Sequence, residues 1–137
     1  MRPLIVIVAV LLLAFQLMAQ TNLTVAADGS GQFKSVEEAI MSVPSGSATN
    51  PVIIHIKPGT YRELIYVQRE KSYFRLVGDD ADKTIITFNL YANMTNVDGK
   101  PLGTFKTPTA TIDADNFTAQ NITFEKRRYQ SKISQDW

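Results

Sequence analysis

Apolar residues fall along this chain in three regimes. From Leu4 to Leu17 they are continuous except at Gln16; around Val36 to Val43 they recur every three or four positions; from Val52 onward they come in short runs divided by turn residues. The middle regime is the clearest local signal. Val36, Ala39, Ile40 and Val43 form one stripe at i, i+3, i+4 and i+7, the spacing of an amphipathic helix. Ser35 and Glu38 form an S-x-x-E capping box over its first turn, and Pro44 closes it. A short helix of this kind needs an apolar surface to cover, and the third regime supplies it.

That regime predicts short strands at Val52–Ile56, Leu64–Val67, Tyr73–Val77, Thr84–Phe88, Thr109–Ile112 and Asn121–Phe124. A further short strand, Leu23–Ala26, precedes the helix, with the turn Asp28-Gly29-Ser30-Gly31 between them. Two architectures fit strands at this spacing, an antiparallel sandwich and a parallel β-helix. Sandwich strands with one wet face alternate apolar and polar residues; His55-Ile56 and Thr87-Phe88 do so, whereas Val52-Ile53-Ile54 does not. The Ile-Thr-Phe triplet occurs at both Ile86–Phe88 and Ile122–Phe124, as stacked coils would repeat it. Pattern alone leaves both architectures open.

The first regime reads as a secretory signal peptide over residues 1–19. Met1-Arg2 gives the positive start, the apolar stretch is shorter than the roughly 20 residues of a spanning helix, and Ala19 offers a small residue for cleavage. An uncleaved anchor is the alternative. Secretion, to the extracellular space or a periplasm, is the expectation, with no membrane attachment after cleavage. The net charge of +1 falls to zero when Arg2 is removed (+1 − 1 = 0), so no global charge argues for nucleic acid. The absence of cysteine excludes disulfides and thiolate metal sites. A small secreted domain without staples points weakly to a stacked architecture.

Five blocks then carry a family resemblance. Thr24–Ile40, Ile54–Glu63 (with I-x-I-x-x-G-x-Y-x-E), Leu76–Asp80, Thr84–Thr87 and Asp115–Glu125 resemble, in order and approximate spacing, the opening of pectin methylesterases. The resemblance implies an all-β right-handed parallel β-helix, incomplete, with one short N-terminal capping α-helix. It divides the chain into a signal peptide at 1–19, a pectinesterase-like portion at 20–125, and a divergent basic tail at 126–137 expected to be disordered. It further implies demethylesterification of pectin (methylated homogalacturonan) by paired aspartates, glutamines and an arginine, without a metal or organic cofactor. Two carboxylates sharing a cleft are driven to different pKa values, which suits one to attack and the other to carry a proton.

The segments that carry those groups in the family have no counterpart after Glu125, where the sequence turns to Lys126-Arg127-Arg128-Tyr129 and onward to Trp137. The expectation is a broken or shortened reading frame near residue 126 and a chain without catalytic residues. The alternative is a non-catalytic module that binds pectin or another cell-wall glycan. Thr104, in Gly103-Thr104-Phe105, is the substrate-contact residue the resemblance implies, with Thr111 second if the register slips. Asp113 and Asp115, two apart, mimic a carboxylate pair but read as a turn with Asn116. Asp79, Asp80 and Asp82 read as a solvated turn rather than a cation site, and His55 as an exposed strand residue. Tyr61 and Glu63 read as structural. The sequons at Asn22, Asn93, Asn116 and Asn121 are read as chance matches without glycans, Asn121 falling on a predicted strand. A β-helix interrupted at this point exposes the edge of its last coil, so self-association through that end is expected.

Overall fold

The computed structural model describes residues 20–88, 95–101 and 108–126. The expected signal peptide, Thr104, Asn93 and residues 127–137 of the tail lie outside them. Among the described residues, nine strands and one helix follow in the order β1 (Asn22–Val25), α1 (Val36–Met41), β2 (Val52–Ile56), β3 (Gly59–Arg62), β4 (Ile65–Val67), β5 (Phe74–Gly78), β6 (Thr84–Thr87), β7 (Ala110–Ile112), β8 (Thr118–Gln120) and β9 (Thr123–Glu125). They form three sheets, β1-β2-β5-β8, β3-β6-β9 and β4-β7, and every pairing between these strands is parallel. Each circuit of the chain lays one strand on successive sheets, which is a β-helix and excludes the sandwich.

Register explains the sequence pattern. Inward positions stack above one another from coil to coil, as in Leu23–Ile54–Leu76–Ala119, Tyr61–Ile86–Phe124 and Val67–Ile112. Ile54, Leu76, Ile86 and Val67 are fully buried. Alternation therefore survives in β1 to β5: β5 places Phe74, Leu76 and Gly78 inward and leaves Arg75 exposed. Ile53 breaks the alternation by sequence only, since it is half-buried on the outer face while its neighbours Val52 and Ile54 are buried.

The helix α1 covers one end of the stack. Val36, Ala39 and Ile40 are fully buried, and the helix packs against β1, β2 and β4. Ser35 is its N-cap, extended at φ −119°, ψ 137°, with Oγ accepting from the Glu38 N–H at 3.3 Å. The helix ends at Met41, before Val43: the Ser42 N–H bonds the Glu38 and Ala39 carbonyls, and its hydroxyl donates to Ala39 O.

Several expected strands shift or divide. Gly59–Arg62, outside every predicted strand, is strand β3, because its backbone pairs with β6. The predicted strand Asn121–Phe124 is replaced by β9 at Thr123–Glu125, with β8, which the pattern did not predict, before it and Asn121, exposed at φ 54°, between the two. Asn tolerates this left-handed conformation better than most residues. Tyr73 likewise has φ 60° and precedes β5 rather than opening it.

Candidate functional site

Four groupings of polar side chains can be built from the coils upward. The first lies where α1 meets the coil. Glu63 follows β3 and turns back beneath the helix, its Oε1 accepting from the Glu37 N–H at 2.9 Å. Glu37 returns the arrangement: its Oε2 accepts from the Tyr66 N–H of β4 at 3.1 Å. Burial raises both carboxyls above the ordinary glutamate range, opposed at Glu63 by bonds from Glu37, Ser35 and Val36. Carboxylates near a helix start are favoured by its unpaired N–H groups. These two acids serve backbone donors, so they position α1 and do not form a reacting pair. Sequence reasoning gave the reach-back role to Glu38; the structure gives the bond to the coil to Glu37. No local pattern signals a partner 26 residues away.

Tyr61, 3% exposed in β3, donates its hydroxyl to Lys57 O at 2.6 Å and approaches Val25 O at 3.4 Å. It ties the turn after β2 to the end of β1, the structural role read from sequence.

The second grouping is an open depression of about 500 Å³ lined by Tyr66, Gln68, Arg69, Glu70 and Asp113. Arg69 and Asp113 pair across it at 3.5 Å, both well exposed, an arrangement of small energetic consequence. Asp113 also donates its backbone N–H to Val67 O, and the Asp115 carbonyl accepts from the Tyr73 N–H. Both acids lie outside strands in the turn region after β7.

The third is the acidic turn after β5. Asp80 Oδ1 accepts from the Asp82 N–H at 2.9 Å, and Asp80 O accepts from the Lys83 and Thr84 N–H groups. The carboxylate and carbonyl close a turn, and no cluster of three or more metal-ligating side chains occurs among the described residues.

The fourth is the outer face of the four-stranded sheet. Register sets Asn22, Ile53, Arg75 and Thr118 in one row across the strands and Thr24, His55, Val77 and Gln120 in the next. No carboxylate belongs to either row. His55 and Arg75 are exposed, as expected of His55. Thr111, the alternative to Thr104, is exposed on β7 opposite Tyr66. No helix among the described residues is long and apolar enough to cross a membrane.

Comparison with known proteins gives one answer. The pectinesterase family profile matches residues 22–132. A pectinesterase of Petunia integrifolia is 42% identical over 107 residues, covering 78% of this chain and 27% of its own. Among solved structures, the pectin methylesterase from carrot superposes with a TM-score of 0.64 at 36% identity, over 76% of this chain and 30% of that one. A pectin methylesterase mutant in complex with a hexasaccharide gives a TM-score of 0.70 at 28% identity, over 86% and 36%. The chain spans 18% of the length of the matched Arabidopsis thaliana pectinesterase/pectinesterase inhibitor relatives.

Proposed function

The chain belongs to the pectinesterase family, and we propose that it forms the N-terminal coils of a secreted pectin methylesterase β-helix, a scaffold that carries none of the reacting groups itself. The reaction it serves is hydrolysis of methyl esters on the galacturonate units of pectin. That chemistry needs one carboxylate free to attack and another placed to carry a proton. The observation carrying the reading is that, among the described residues, the carboxylates with raised pKa values, Glu37 and Glu63, are bonded to backbone N–H groups at 3.1 and 2.9 Å in anchoring α1. Asp79, Asp80, Asp82, Asp113 and Asp115 stand in solvated turns. The folded 137-residue chain should release no methanol from methylated pectin, and release above a blank would overturn the reading.

A second reading is favoured by the outer face of the four-stranded sheet. Its two rows present Arg75 and no carboxylate, which suits an anionic glycan. Thr104 remains the proposed sugar contact from the family side. Calorimetric titration with oligogalacturonides tests this, with Arg75→Glu expected to abolish any heat; a flat titration of the parent chain removes the reading. Self-association belongs to the same proposal, supported by the exposure of β8, Ile112 and Phe124 among the described residues.

A further inference from the structure

The outer face of the two-stranded sheet holds a feature that the scaffold reading does not use. Strand β4 buries Ile65 and Val67 and turns Tyr66 outward between them, as strand alternation requires. Tyr66 is 48% exposed and lies beside its register partner Thr111 of β7, also exposed. It forms one wall of the depression of about 500 Å³ whose other lining residues are Gln68, Arg69, Glu70 and Asp113. No other ring lines it among the described residues.

The walls are held in place by backbone bonds. The Tyr66 N–H donates to Glu37 Oε2 at 3.1 Å, which fixes β4 against α1. In the turn that carries Gln68 to Glu70, the Lys71 N–H donates to Gln68 O at 2.9 Å and the Ser72 hydroxyl donates to Arg69 O at 3.2 Å. The Ser45 hydroxyl donates to Glu70 O, and on the far side the Asp113 N–H donates to Val67 O at 2.9 Å. Such a frame needs little ordering when a ligand arrives. Arg69 and Asp113, 3.5 Å apart, are 77% and 50% exposed, so a ligand can part them at small cost.

A flat ring beside planar guanidinium, amide and carboxylate groups is chemistry that recognises a sugar. The ring packs against the C–H face of a pyranose, and the planar groups bond neighbouring hydroxyls in pairs. Charge narrows the choice. Glu70 and Asp113 set two carboxylates against the single guanidinium of Arg69, which disfavours an anionic sugar and leaves a neutral one unopposed. We propose that this depression binds a methyl-esterified, and so uncharged, galacturonate unit of pectin, with Tyr66 as its stacking platform. The inference rests on the pectin substrate class given under the proposed function. It differs from the glycan reading of the four-stranded sheet in both the face used and the charge of the ligand.

The test is calorimetric titration of the 137-residue chain with methyl-esterified hexagalacturonate and with the same oligomer after saponification. The esterified oligomer should bind, and the saponified one should bind about tenfold more weakly or less. Tyr66→Ala should weaken binding of the esterified oligomer about tenfold, while Tyr66→Phe, which keeps the ring, should stay near the parent. Glu70→Gln/Asp113→Asn removes both carboxylates at exposed positions and should bring the saponified oligomer close to the esterified one. Arg75→Glu, on the other sheet, should leave binding of the esterified oligomer unchanged. Circular dichroism reports whether Tyr66→Ala folds; if it does not, the carboxylate variant decides the question. A parent that gives no heat, equal affinity for the two oligomers, or parent-like binding by folded Tyr66→Ala would each overturn the site. Methanol is assayed in the same samples: its release would sink the scaffold reading and leave the Tyr66 dependence standing, so the two failures are told apart.

Discussion

Substituting Gly78 by alanine probes the stacking of coils at one atom. Gly78 ends β5, buried, with Ile56 beside it in the preceding coil. In the following coil Val77 pairs with Gln120, after which Asn121 turns at φ 54° and brings its carbonyl over Gly78. A Cβ at position 78 would overlap the Asn121 carbonyl oxygen and lie 3.1 Å from both the Asn121 carbonyl carbon and Ile122 Cγ1. The obstruction is backbone, so relief requires moving the β8–β9 turn and not rotating a side chain. Overpacking of this kind costs about 1–3 kcal/mol, and a backbone obstacle places it near the upper end. Restricting the unfolded chain returns about 0.4–1 kcal/mol, leaving a net loss near 2 kcal/mol, roughly 30-fold in the folding equilibrium. With a urea m-value of about 2 kcal/mol/M, the midpoint falls by about 1 M. Gly59→Ala is the internal control. Its Cβ would meet Ala27 Cβ at 3.3 Å and the Tyr61 ring at 3.5 Å, so its midpoint should stay within about 0.3 M, roughly the shift that a 0.5 kcal/mol change gives at that m-value. Equal shifts for the two variants, or no shift for Gly78→Ala, would refute the stacking argument.

Tyr61→Phe removes a buried donor from Lys57 O and should cost about 1–2 kcal/mol in the same urea titration, with the m-value unchanged. Ile40→Ala leaves a cavity beneath α1 at a fully buried position and should cost about 2–4 kcal/mol; a loss under 1 kcal/mol would mean that the helix does not seal the coil. The pH dependence follows from Glu37 and Glu63, both raised by burial. A raised carboxyl binds its proton more tightly folded than unfolded, so its contribution is present below the ordinary glutamate range and is lost as pH rises through the elevated values. Glu63→Gln keeps an acceptor for the Glu37 N–H and should flatten that decline; an unaltered slope would show that Glu63 does not titrate with folding.

Much of the architecture is legible in local pattern, and the remainder depends on pairing that local pattern does not encode. The helix is readable because Ser35, Val36, Ala39 and Ile40 act within one another's reach. Val52–Ile56 is readable because its β-branched residues fill a half-buried pleat. Strand β8 is not, since Thr118-Ala119-Gln120 has no large apolar residue and is a strand only through its ladder with β5. Strand β3 hides behind Pro58-Gly59, a pair that also signals a turn. Family resemblance, and not local pattern, separates sandwich from β-helix, because strand direction is set between residues some 20 to 45 positions apart, such as Ile54 with Leu76 and Leu76 with Ala119. Of the polar groupings, Tyr61 and Glu63 were legible as structural, while the bond between Glu37 and the coil needed the fold to bring it together.

On the proposed function, these coils are scaffold and not catalyst. Its most direct test is methanol release from methylated pectin by the folded chain, run beside the carrot pectin methylesterase under the same conditions. The carrot enzyme should release methanol, and this chain should stay at the level of the blank. Steady turnover by this chain, in proportion to its concentration, would place reacting groups within these 137 residues and contradict it.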